Sequence, residues 1–365
     1  MKKFLITITI VAIVIGAHVI LLKQFIFPQK KKTSTEEVKP GDALDKDKIP
    51  PPADISPAAK TPALKPYIYK NATFGDLAAI PDSKTATSGI LVDLNTRQVI
   101  WAKNPKKAVA IASMTKMMTE FMVFEELATR KDVNLQTLIQ VTPSSAKIGG
   151  SQIYLDPKEA FPLEDLLKAV MISSANDAAY LVAEYFGNGD VNAFVEKMNV
   201  RAKQLKLVGA KFYNPHGLPG DTAKEDNICS PEGLVMLAER LLDNPKAAEF
   251  ARTKAATIRE NTSKPFTLYT HNHLLGACQG VNGMKTGFIQ RSGFCITVTC
   301  QRGDRKMAAA VTGFPTRKER DIFMAKLLEW GYKQQPKVAS LEPDKIEAGS
   351  EDKNLEELLG KIIQK

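Results

Sequence analysis

Residues 111–127 read IASMTKMMTEFMVFEEL. Met114, Met117, Met118, Phe121, Met122, Phe124 and Leu127 recur at helical spacing over more than half of a helix circumference. The segment therefore predicts a helix buried on most of its sides. A lysine inside such a run needs a reason. Lys116 could snorkel, laying its stem on the apolar surface and its amine in water. The alternative is chemical: Ser113 and Lys116 lie one turn apart on one face, so the amine can serve the hydroxyl as a base.

Working outward, SGILVDLNTRQVIWAKN (88–104) reads as two β-rich runs joined at Asn95-Thr96, a hairpin signal. Downstream of the buried helix, LEDLLKAVMISSANDAAYLVAEYF (163–186) holds two helix-like pieces and SPEGLVMLAERLLD (230–243) another. FCITVTC (294–300) and KMAAAVTGF (306–314) read as strands joined at Gly303-Asp304, and RKERDIFMAKLLEWGYK (317–333) as a closing amphipathic helix. Short connections between the late strands favour antiparallel pairing. The expected class is α/β in an α+β arrangement: an antiparallel sheet covered by helices, with a helical subdomain.

The ends have a different character. Residues 4–22, FLITITIVAIVIGAHVILL, are long and apolar enough for an uncleaved transmembrane anchor behind a three-residue cytoplasmic start, 1–3. Flanking lysines (Lys2, Lys3, Lys23 and Lys30 to Lys32) do not orient it. Residues 23–66 are rich in proline and charge and poor in large apolar side chains, so they read as a disordered linker. The folded domain is expected over 67–335. A polar tail follows over 336–365, where Leu355, Leu358, Leu359, Ile362 and Ile363 share one face of a short amphipathic helix.

Across 365 residues the chain is 44% hydrophobic and 25% charged, an ordinary globular balance. Its net charge of +10 is spread along the chain without a nucleic-acid motif, which argues against a nucleic-acid partner. Cys295 and Cys300 are five apart in one strand and point to opposite faces, so they do not suit each other as disulfide partners. Pairing of Cys229 with Cys278 stays open. HNH (271–273) near Cys278 lacks the partners of a zinc set.

Ser-x-x-Lys occurs at Ser113, Ser144 and Ser350, but only SMTK opens a buried helix; SSAK is turn-like and SEDK lies in the polar tail. Two further elements follow in order, SAN (174–176) and KTG (285–287), the latter leading into the late strands. This is the element set of penicillin-binding proteins and serine β-lactamases. From ILVDLNTRQVIWAKN, IASMTKMMT, SSANDAA, NPHGL, VNGMKTGF and LLEWGY, the chain resembles a D-alanyl-D-alanine carboxypeptidase of the low-molecular-mass penicillin-binding protein type over about 68–335. Larger members carry a β-rich domain before a membrane-binding helix. Only about 30 residues follow here, so tethering is expected from the N-terminal anchor.

The resemblance implies a β-lactamase/transpeptidase-like fold and an enzyme that removes the terminal D-alanine from peptidoglycan stem peptides, binds β-lactam antibiotics and uses no cofactor or metal. Ser113 would be the nucleophile, Lys116 its base, Ser174 a proton relay and Asn176 the group that positions lysine and substrate. Lys285 and Thr286 would hold the terminal carboxylate. Gly287 and Phe288 complete that strand, with the amides of Ser113 and Phe288 as oxyanion donors. Arg320 resembles an arginine that some relatives aim at the same carboxylate, with Arg317 three residues away. A β-lactamase, a D,D-endopeptidase and a non-catalytic peptidoglycan-binding protein are the alternatives. His216 in NPHGL lacks the companions of a Ser-His-Asp triad. The expected place is the outer side of the cytoplasmic membrane.

Overall fold

The computed structural model describes residues 67–71, 85–260 and 262–334. The expected anchor (4–22), linker (23–66) and tail (336–365) lie outside the described residues. Among the described residues no helix is long and apolar enough to cross a membrane.

The frame is a six-stranded sheet. β1 (Lys70–Asn71), β2 (Ser88–Asp93) and β3 (Gln98–Lys103) come first. Short two-stranded ladders join β4 (Val109–Ala110) to β7 (Ile228–Cys229), β5 (Leu138–Gln140) to β6 (Ala160–Pro162), and β8 (Ala255–Ile258) to β9 (Phe266–Tyr269). The long strands β10 (Val281–Ile289), β11 (Gly293–Arg302) and β12 (Arg305–Phe314) complete the frame. Its order is β1-β3-β2-β12-β11-β10, with β10 at one edge. All pairs are antiparallel except β1 with β3, which is parallel because the chain returns to β3 only after a long connection. The hairpin between β2 and β3 forms as expected. Asp93 Oδ1 accepts the amides of Asn95 (3.0 Å) and Thr96 (3.1 Å), a local turn made by an aspartate side chain.

Helices cover both faces. On one lie α1 (Lys116–Thr129), α2 (Leu163–Met171), α3 (Asn176–Phe186), α4 (Val191–Gln204), α5 (Pro231–Leu242) and α6 (Pro245–Arg252). On the other lies α7 (Arg317–Lys333). Strand periodicity sorts the core accordingly. Ile90, Val92, Ala308 and Ala310 pack with the six-helix side, while Leu91, Met307, Ala309 and Val311 pack with Phe323, Met324, Leu327 and Leu328 of α7. Both faces being covered explains why these strands read as nearly unbroken apolar runs. Each large apolar side chain buried this way contributes about 1.5–3 kcal/mol. The same split separates the cysteines: Cys229 and Cys295 face one core, Cys278 and Cys300 the other, and all four are free thiols. The open pairing of Cys229 with Cys278 therefore resolves as unpaired.

Candidate active site

The three motifs meet at the start of α1, beside edge strand β10. Ser113 does not sit in the α-helix itself, as the spacing predicted. It lies in a 3₁₀ turn, Ala112–Thr115, and Lys116 is the first residue of α1. In 3₁₀ geometry side chains at i and i+3 eclipse, so the turn brings the two together more directly than an α-helix would. Lys116 Nζ is 3.1 Å from Ser113 Oγ.

Lys116 does not snorkel. It is wholly buried, and Nζ has two further partners, Asn176 Oδ1 and the carbonyl oxygen of His216, both at 2.6 Å. These two groups can only accept. A neutral amine has two N–H donors and one lone pair. Donating to Asn176 and His216 uses both hydrogens and leaves the lone pair facing the Ser113 hydroxyl. The electrostatics favour the neutral form. Burial first, then the charge of Lys285, hold the Lys116 pKa well below the ordinary lysine value, while the Asp177 carboxylate pulls the other way.

The supporting contacts are specific. Asn176 opens α3; its Nδ2 donates to Gly149 O (2.8 Å) and its amide to Ser151 O (2.7 Å), which fixes the orientation of Oδ1. Asp177, next along, accepts the amides of Ile153 and Leu155 and so holds the same segment from behind. The NPHGL loop packs on the Ser113 turn: a Cβ on Gly217 (φ +85°) would fall 2.0 Å from Ala112 O. Thr119 Oγ1 donates to Pro215 O (2.6 Å), and Asn227 Nδ2 to Thr115 Oγ1 (2.9 Å). Gly287 is required on the other side, since its Cβ would fall 2.5 Å from Ile111 O. Without a side chain there, β10 comes against the Ser113 turn.

Ser174 is buried and held at φ +63°, an unusual backbone for a non-glycine residue and one that costs on the order of 1 kcal/mol or more. With Ser113, Ser151, His271, Thr286 and Arg317 it lines a cavity of about 220 Å³. Gly287, Phe288 and Arg320 line it too, and no Asp or Glu does so among the described residues. Phe288 is half exposed and stacks on Phe294, ring centroids 4.2 Å apart.

Lys285 is almost wholly buried; burial, then the charge of Arg320, bring its pKa down to about 7. Arg320 is buried as well. Its Nε and one terminal nitrogen donate to Asp321 Oδ1 (2.9 and 2.6 Å) and the other donates to Cys295 O (3.3 Å). It reaches the cavity wall, but most of its hydrogen-bonding capacity is engaged within the protein. His216 is no triad member: burial holds its imidazole at a pKa of about 3, and Nδ1 accepts the Leu218 amide (3.2 Å).

Ser113, Lys116, Ser174, Asn176, Lys285, Thr286, Gly287, Phe288 and Arg320 thus all come together. The sequence reading missed the His216 carbonyl, His271 and Ser151 as members of this site, and named Arg317 only as the neighbour of Arg320. A backbone carbonyl leaves no compositional trace. His271 stood in HNH, which was read only for metal.

A family model described as D-alanyl-D-alanine carboxypeptidase matches residues 76–316. Among curated relatives, D-alanyl-D-alanine carboxypeptidase DacF of Bacillus subtilis is 34% identical over 68% of this chain and 62% of its own length. DacC of Escherichia coli is 31% identical over 72% of this chain and 65% of its own. The chain spans a little under two thirds of the length of these relatives. Among solved structures, penicillin-binding protein D2 of Listeria monocytogenes in its ampicillin-bound form superposes with a TM-score of 0.61 at 26% identity, covering 71% of this chain and 100% of that one. The DD-transpeptidase of Streptomyces K15 shares the fold, with a TM-score of 0.63 at 23% identity over 68% of this chain and 98% of that one. A buried lysine beside a half-buried serine, closed by an asparagine and a Lys-Thr-Gly strand, and a family match over most of the described residues, place the chain in the D-alanyl-D-alanine carboxypeptidase family, Peptidase_S11.

Proposed function

We propose that the chain is a serine-type D-Ala-D-Ala carboxypeptidase acting on peptidoglycan stem peptides. The observation that carries this is the environment of Lys116: two acceptors consume its two hydrogens, and the lone pair is left for Ser113. Ser113 attacks the carbonyl of the penultimate D-alanine while Lys116 takes its proton. Ser174 relays that proton from Lys116 to the departing amine, which leaves the lysine neutral again. Water then hydrolyses the acyl ester, with Lys116 accepting a proton from it and returning one to Ser113 Oγ.

Each remaining group has a task. The amides of Ser113 and Phe288 would donate to the oxyanion. β10 is an edge strand, so an extended peptide can lie along it by adding backbone hydrogen bonds. Lys285 and Thr286 hold the terminal carboxylate. Arg320 keeps this end of the cavity positive while remaining tied to Asp321. β-Lactams would acylate Ser113 by the same attack, as suggested by the ampicillin-bound relative. No carboxylate among the described residues lines the cavity to drive rapid hydrolysis of that ester, which separates this reading from a β-lactamase.

The apolar N-terminal segment supports a further part of the proposal. Residues 4–22 anchor the chain in the cytoplasmic membrane, with the catalytic domain on its outer side where peptidoglycan lies. A reporter active only after export, fused after Lys365, should be active; a reporter active only in the cytosol should stay dark. The chemistry is tested by labelling with a fluorescent penicillin. Ser113→Ala should abolish the label and Ser144→Ala should leave it, since Ser144 and Lys147 are exposed on a surface turn. The reverse result would overturn the assignment.

A further inference from the structure

A second cavity adjoins the catalytic one. It measures about 470 Å³, and Phe294 and Arg317 line both. At about 220 Å³ the catalytic cavity is smaller than the roughly 300–1,000 Å³ of pockets that enclose a whole small ligand. It has room for a small terminal residue, and the neighbouring space continues from its Arg317 end.

The walls of this second cavity have a definite chemistry. Phe294 and Ile322 supply apolar surface, and His273, Arg317 and Lys318 supply the polar rim. Asp321 is also present, but its carboxylate is engaged with Arg320. Arg317 is exposed and makes no hydrogen bond or ion pair among the described residues. Arg317, Lys318 and Arg320 all stand in the first turn of α7. That is the positive end of the helix dipole, where cations are locally unfavourable. Glu319 stands in the same turn and Asp321 pairs with Arg320, so the charge that faces the cavity is that of Arg317 and Lys318, where a bound anion would offset it.

We infer that this cavity is a subsite for the residue released in the reaction, accepting a D-amino acid whose side chain is an aliphatic stem ending in a carboxylate. The inference rests on the carboxypeptidase reading, which puts the released residue at the Lys285–Thr286 end of the catalytic cavity. Its main-chain carboxylate stays with those two residues. Its stem lies on Phe294 and Ile322, and its side-chain carboxylate meets Arg317 and Lys318. The chemistry is unchanged: the Ser113 Oγ–carbonyl bond forms, the carbonyl–nitrogen bond breaks, and the departing amine takes the proton.

The test uses the full chain and three peptides with one acyl portion, ending in D-Ala, D-Leu or D-Glu. The D-Glu peptide should exceed the D-Leu peptide in kcat/KM by about fivefold or more, and this advantage should shrink in high salt. Lys318→Glu should lower the D-Glu to D-Leu ratio severalfold. Ile322→Asp should lower the kcat/KM of D-Leu relative to D-Ala. Penicillin labelling checks that each variant is folded, and the wild-type series decides the matter by itself if one is not. Release of D-Ala with equal or reversed preference between D-Glu and D-Leu overturns the subsite. Release of no D-residue from any peptide overturns the carboxypeptidase reading instead.

Discussion

The first two turns of α1 carry opposite solutions to one problem. Lys116 and Glu120, one turn apart, are both fully buried. Lys116 has three polar partners within 3.1 Å, whereas neither Glu120 carboxyl oxygen has any among the described residues. Burial moves both toward their neutral forms, pulling Lys116 down and pushing Glu120 well above the ordinary glutamate value. The difference is what neutrality accomplishes. For Lys116 it leaves a lone pair facing the Ser113 hydroxyl. For Glu120 it only lessens a desolvation cost. A strongly perturbed pKa therefore marks a functional group here only where directed partners accompany it.

The sharpest way to break this comparison is to remove the lysine. Lys116→Met keeps the volume and discards the base, so acylation by penicillin and peptide turnover should each fall by about 10²–10⁴-fold. Near-normal acylation by Lys116→Met would show that the lone pair facing Ser113 has no catalytic part.

The second buried lysine extends the comparison, because Lys285 is proposed to work as a cation rather than a base. Amidating the terminal carboxylate should slow cleavage about ten- to a hundredfold, the worth of one charge-assisted hydrogen bond of about 1.5–3 kcal/mol. Lys285→Ala should impose a similar loss on the acid peptide and a smaller one on the amide. Equal penalties on both would detach Lys285 from the carboxylate.

A smaller effect lies in the pH profile. Lys285 loses its proton as pH rises through about 7, so kcat/KM for the acid peptide should decline above that pH, approaching tenfold per unit. Lys116 is held well below the ordinary lysine value by burial, and its deprotonation acts in the opposite sense, since it creates the base. The alkaline decline should be absent from the amidated peptide.

The smallest expected effect is on stability and comes from Glu120. In the unfolded chain this carboxyl ionises near about 4.3. In the folded chain it keeps its proton to a much higher pH, so stability falls as pH rises above the unfolded value. Glu120→Met should stabilise the protein by about 1–3 kcal/mol, more at pH 8 than at pH 5, with turnover nearly unchanged. Thermal unfolding at the two pH values checks this. A destabilised variant would reveal that the Glu120 carboxyl has a structural use.

Much of the fold was legible because its signals are local. The hairpin at Asn95-Thr96 showed as strand-type residues flanking turn residues, and Asp93 closes it through its own neighbours' amides. Met117, Met118, Phe121 and Met122 announced α1 because helical periodicity is visible in a dozen residues. Ser113, Ser174 and Lys285 were found as members of three motifs in order, a pattern that composition alone does not produce. The parallel pairing of β1 with β3 was not legible, since Lys70–Asn71 is too short to carry a period.

By itself, then, the order of residues determined the strands, the buried helix and which side chains meet in the candidate site, since periodicity and motif spacing need only near neighbours in the chain. Only the tertiary structure decided what surrounds them. The His216 carbonyl reaches Lys116 from a hundred residues away, and Gly217 and Gly287 bring two distant segments against the Ser113 turn. Lys116 and Glu120 look alike in sequence, as ionisable residues in one apolar run. Which of them would find acceptors was set by the packing of distant loops, because hydrogen bonds and desolvation act over a few ångströms of space and take no account of separation along the chain.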